Sequence, residues 1–269
     1  MVRKLFKHEF HVWFRVLWIV SAMVLVLSGA NRVIQLFETD SVWYYLFFGF
    51  SLFAMFITMV VALSVPSFYA VIRFYKNLFS GEGYLSFTLP VTPAQHLWVK
   101  SITATVMTMA VGVVCILGCC LVMAGDVFTE VCKAIAYFGG KLDAKNTWNL
   151  IAVVAEVVIL LAISTFAGHF VLYSCVCIGQ LFRKHRILGA FGVYFIYYMA
   201  AQFLSGIFSF TLELLGASGA LDSLTEYTVK NPWLVSHIYL IGLLVVTLVQ
   251  AVVCFVVCNL IMKRKLNLE

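Results

Sequence analysis

Between Val42 and Ile72 the chain is apolar for about thirty residues almost without interruption, and a helix needs only roughly 20 such residues to cross a bilayer. Five more runs share this character: about Val16–Phe37, Leu97–Ala124, Asn149–Phe182, Ile187–Leu215 and Ser236–Met262. In hydrocarbon every backbone amide must find its partner within the chain, which makes each run a helix. The expected fold is therefore all-α, an integral membrane protein with six transmembrane helices in a single domain spanning residues 1–269. The composition, 63% hydrophobic and 11% charged, is not that of a water-soluble globule. The longest polar stretches hold about two dozen residues, too few to bury a core of their own. Val42–Ile72 exceeds what a crossing requires, so it must tilt, kink at Pro66 or project into the cytoplasm.

The segments between the runs carry their own signals. In Val2–Arg15, Lys4, Lys7, His8, His11 and Arg15 fall on one helical face, and Leu5, Phe6, Phe10, Trp13 and Phe14 on the other. Residues 1–15 are therefore expected as an interfacial helix on an anionic leaflet. A cleavable signal peptide fits less well, because the apolar run is long and five more follow. Outside the second crossing pair, Phe128, Val131, Cys132 and Ile135 recur at helical spacing and predict a short helix. Arg183-Lys184-His185-Arg186 makes a tight turn, and Ser223–Glu226 is a capping-box pattern. Of the 18 Lys and Arg residues, only Arg32, Lys133, Lys141, Lys145 and Lys230 fall on the side away from the termini. The positive-inside rule then places both ends in the cytoplasm. The net charge of +6 lies beside the spans rather than in one patch, so it marks topology and not nucleic-acid binding.

Little in the chain suggests bond chemistry. There is no GxxxxGK[ST] loop, no HExxH and no GxSxG. Seven of the eight cysteines lie in apolar spans and read as small packing residues; Cys132 is in a loop. Glu156 and His169 share a span but sit about 220° apart around its axis and roughly 20 Å apart along it, so they cannot share a metal or a proton. Glu156 can reach water at the outer end, and His169 reads as a hydrogen-bonded packing residue. In the fifth span Ala201, Ser205, Ser209 and Glu213 form an i,i+4 ladder, with Gln202 beside it. Such a ladder lines a dimer seam or pathway, or else packs within the chain.

Arg73 to Lys100 is the longest polar interruption on the side of the termini. Its aromatics, Phe74, Tyr75, Phe79, Tyr84 and Phe87, exceed what a solvated loop needs. Thr92-Pro93-Ala94-Gln95 is a capping box with proline at the first helical position, so a helix starts there. Two readings stand: an ordered docking element for a partner protein, or an interfacial loop whose aromatics dip into headgroups.

The run EGYLSFTLPVT from Glu82 to Thr92, followed by Lys100, resembles a motif of small bacterial permeases of the second ATP-binding-cassette permease class, the type V exporter fold. The specific part of the likeness is confined to about Phe79–Lys100; the order of segments is similar throughout. The resemblance implies a cytoplasmic coupling segment at 73–96 and a partly re-entrant outer segment at 216–235. It implies a second permease copy, homo- or heterodimeric, and a separate ATPase subunit that carries ATP and Mg, this chain binding no cofactor and catalysing no reaction. It further implies contact of that ATPase with Phe79, Glu82, Tyr84 and Phe87, and a bacterial plasma-membrane location. The expected function is outward transport of an amphipathic or hydrophobic cargo such as a peptide, drug or lipid. The rival is a membrane sensor or immunity protein that binds a cytoplasmic partner without transport.

Overall fold

The computed structural model describes residues 2–37, 39–79, 91–140, 143–182, 185–219 and 222–264. Every regular element among them is an α-helix: α1 Val2–Gln35, α2 Val42–Phe79, α3 Pro93–Met123, α4 Asp126–Gly140, α5 Ala144–Gly179, α6 Arg186–Ala217, α7 Asp222–Lys230 and α8 Pro232–Arg264. Six of them, α1, α2, α3, α5, α6 and α8, are long and apolar enough to cross a membrane. The chain is a multi-pass membrane protein, and its abundant exposed Phe, Leu, Ile and Val side chains suit a hydrocarbon solvent. The described helices form two compact units: one holds α1, α2 up to Leu78, α3, α4 and the start of α5 to Thr147, the other Phe79, α5 from Trp148 onward and α6 to α8.

In the first unit α1 is a single helix of 34 residues. The expected interfacial helix at 1–15 has no boundary of its own, because no glycine or proline interrupts the chain before Gly29. Its basic residues Lys4, Lys7, His8, His11 and Arg15 are exposed as expected. Glu9 and Trp13, however, belong to one buried stripe with Leu17, Val24, Ser28 and Asn31, at spacings near one and two turns. This stripe faces α3, its main backbone neighbour. It also meets α2: Trp13 stands edge-on to Tyr69 with centroids 4.9 Å apart, and Ser51 Oγ donates to Asn31 Oδ1 at 2.9 Å. At Gly118 of α3 the three helices converge. A Cβ there would lie 2.7 Å from Ser28 Oγ, 3.2 Å from Val24 Cγ1 and 3.3 Å from Met59 Cε, so glycine lets the helices come close without moving these side chains.

Pro66 does not end α2. The helix continues to Phe79, about 57 Å in all at 1.5 Å per residue, against a hydrocarbon core of about 30 Å. Ala62, Pro66, Ala70, Phe74 and Leu78 are buried at a strict spacing of four. Thr92 caps α3 in a full capping box: its hydroxyl accepts from Gln95 N at 3.4 Å, and its own N–H donates to Gln95 Oε1 at 3.0 Å. Gly125, at φ +122°, turns the chain from α3 into α4, the short helix expected from Phe128, Val131 and Cys132.

In the second unit the core lies between α5 and α8. Ala167, Phe170, Val171, Tyr173, Cys175, Val176 and Cys177 are buried on α5, and Ala251, Cys258 and Met262 on α8. Phe170 and Phe255 meet edge-on with centroids 5.6 Å apart. Gly179 packs closely against the start of α6, since a Cβ on it would lie 2.6 Å from the Ala190 backbone nitrogen; Arg183 and Lys184 of the expected tight turn lie outside the described residues. No residue of α6 is buried, and Gln250 of α8 donates to the Tyr197 hydroxyl of α6 at 2.6 Å.

Candidate functional site: the flanks of residues 80–90

The polar segment singled out in the sequence begins inside a helix. Arg73 to Phe79 are the last two turns of α2. Phe74 was expected among the partner-facing aromatics, but it is fully buried, as is Leu78. The cause is the four-residue period of α2, which carries both onto the stripe of Ala62, Pro66 and Ala70. Phe79, the last residue of the helix, is half-buried. Glu82, Tyr84 and Phe87 lie outside the described residues. The segment emerges at Thr92, where the capping box and Pro93 start α3 without a slack joint. His96, Leu97, Val99, Lys100 and Ser101 are buried at once in the first two turns.

Between these flanks sits a charge cluster that sequence reasoning missed. Glu9 Oε2 lies 2.7 Å from Arg73 Nε and Glu9 Oε1 lies 3.0 Å from Lys100 Nζ. The three side chains are 3%, 10% and 6% exposed, so solvent hardly screens them. Asn77, oriented by its hydrogen bonds, accepts from Lys100 Nζ at 3.2 Å and donates to the Arg73 carbonyl at 3.3 Å. Arg73 Nη1 also donates to the Tyr69 hydroxyl at 3.3 Å. One carboxylate thus stands between two cations in a dry site. Such a cluster is held by mutual pairing, and loss of Glu9 leaves two buried cations without their counter-charge. A signal was available: Glu9 is the one acid among the first 37 residues, one helical turn from the buried Trp13.

The other site residues are spread along α6. Ala201, Gln202, Ser205, Ser209 and Glu213 are all exposed, so the small-residue ladder is an open face. The two ionisable residues of the fourth span part company. His169 is buried, and its Nδ1 lies 2.8 Å from the Thr165 carbonyl. Glu156 meets His237 of α8, with Nδ1 2.9 Å from both carboxylate oxygens; the partner lies 81 positions away, beyond reach of helical periodicity. All eight cysteines are free thiols. Among the described residues, no group of three or more His, Cys, Asp or Glu could hold a metal ion. No family model, curated protein or solved structure matches this chain.

Proposed function

We propose that this chain is the permease subunit of an ATP-binding-cassette exporter, paired with a second permease copy and driven by separate ATPase subunits. The supporting observation is the mounting of residues 80–91. A helix about 57 Å long delivers the chain to Phe79, and a capped helix receives it at Thr92. A segment held stiffly at both ends transmits a push instead of absorbing it. The EGYLSFTLPVT likeness, Glu82 to Thr92, falls between Phe79 and the first residue of α3. In this proposal the termini and residues 73–96 face the cytoplasm, where ATP is available, and the protein sits in a bacterial plasma membrane. ATP binding closes the ATPase pair, the segment passes that motion to α2 and α3, and the spans alternately expose a path for an amphipathic or hydrophobic cargo. The permease itself makes and breaks no bonds. Phe79, Glu82, Tyr84 and Phe87 supply the contact, and the open α6 face with Ser205, Ser209 and Glu213 supplies the seam or pathway.

The test is association with a cassette ATPase of the same cell, read as binding and as a change in ATP turnover. Tyr84→Ala should weaken docking by about 1–3 kcal/mol, about five- to 150-fold in Kd, if Tyr84 is a central anchor. Unchanged docking and turnover in both Tyr84→Ala and Glu82→Ala would reduce the segment to an interfacial loop. A partner protein bound without ATP turnover would favour the sensor or immunity reading.

A further inference from the structure

We propose that Glu9 is a clasp that fixes both ends of the docking segment to α1, so that the entry flank, the exit flank and the first helix move as one body. Arg73 stands before the segment and Lys100 after it; both cations end on the same carboxylate, one on each oxygen. The carboxylate comes from neither flank but from α1, 91 positions before Lys100. Displacing the segment relative to α1 therefore requires either moving α1 with it or breaking an ion pair in a site that is at most 10% exposed. Asn77 reinforces the arrangement by joining Lys100 to the Arg73 backbone directly. The Trp13–Tyr69 contact one turn further along α1 braces the same junction.

The charges make the clasp asymmetric. Without Glu9, Arg73 and Lys100 face each other as two buried cations and repel. Without Lys100, Glu9 and Arg73 remain a neutral pair and the entry flank stays attached. A purely structural role, with each residue contributing its own packing, has no such asymmetry. The idea that the clasp carries a load from an ATPase rests on the proposed function; the clasp itself does not.

The experiment is amide hydrogen exchange on the full chain in lipid nanodiscs, followed at residues 2–12, 74–79 and 92–99. Glu9→Gln should raise exchange in all three stretches together, by about tenfold or more, because opening no longer breaks the ion pairs. Lys100→Met should raise it at 92–99 and leave 74–79 near wild type. Exchange that changes in α1 alone, or equal effects of the two variants on both flanks, overturns the clasp. Should Glu9→Gln fail to accumulate, the neutral combination Glu9→Gln, Arg73→Met, Lys100→Met removes the repulsion and keeps the site filled. There the flanks should exchange independently of residues 2–12; retained joint protection would refute the proposal. Adding the ATPase separates the two readings. If it does not bind wild type, docking fails while the clasp is judged on the free chain. If it binds, protection at residues 2–12 should change on binding in wild type but not in the neutral combination.

Discussion

Gly179→Ala tests how the α5–α6 turn is built. The added Cβ would lie 2.6 Å from Ala190 N and 2.7 Å from both its Cα and Cβ. Ordinary contact begins at 3.4 Å, so the two backbones must part by about 0.8 Å. Backbone cannot swing aside as a side-chain tip does, and a gap of that size forfeits about a quarter to a half of each neighbouring dispersion contact. Overpacking of this kind costs about 1–3 kcal/mol. Gly192→Ala is the control, because nothing lies within 4 Å of its Cβ; relief of glycine's backbone entropy should make it neutral or stabilising by about 0.5–1 kcal/mol. Gly189→Ala falls between, since its nearest neighbour is the Phe182 ring, at 2.6 Å, which can rotate. Reversible unfolding in mixed micelles would rank the three. Equal stability of Gly179→Ala and Gly192→Ala would refute the close backbone approach on which the reasoning depends.

Two further outcomes bear on the membrane arrangement. With Cys132 replaced by serine, a cysteine introduced as Lys184→Cys should be labelled by impermeant thiol reagents only from the cytoplasmic side; labelling of intact cells at that cysteine would invert the proposed orientation. Ser205→Leu should leave the stability of the isolated chain within about 0.5 kcal/mol, because Ser205 is exposed, yet lower self-association or transport. Normal association in that variant removes α6 from the seam.

What was legible in the sequence is what depends on neighbours along the chain. The six long apolar helices follow from run length, and the Thr92 cap from a four-residue pattern confirmed on both of its hydrogen bonds. Composition misled where one element absorbed another. Arg73–Phe79 looked like polar loop by composition, but the spacing of Ala62, Pro66, Ala70, Phe74 and Leu78 shows that a single helix continues through it. Residues 1–15 looked separate because their polarity changes at Val16, although nothing there stops a helix. The ion cluster and the Glu156–His237 contact were illegible for a different reason. Each joins residues more than 60 positions apart, and only the packing of whole helices decides which polar groups meet.

The proline within α2 has a mechanical consequence. Pro66 has no N–H to offer the Ala62 carbonyl, so this rod lacks one internal bond partway along its length. Bending is easiest where a helix is missing such a bond. Beyond that point the helix runs 13 more residues to Phe79, a lever arm of about 20 Å. A change of about 10° at Pro66 would swing the Phe79 end by about 3 Å and Arg73, halfway along the arm, by about half as much. Because Glu9 ties Arg73 to α1, such a swing carries the start of α1 with it or breaks that ion pair.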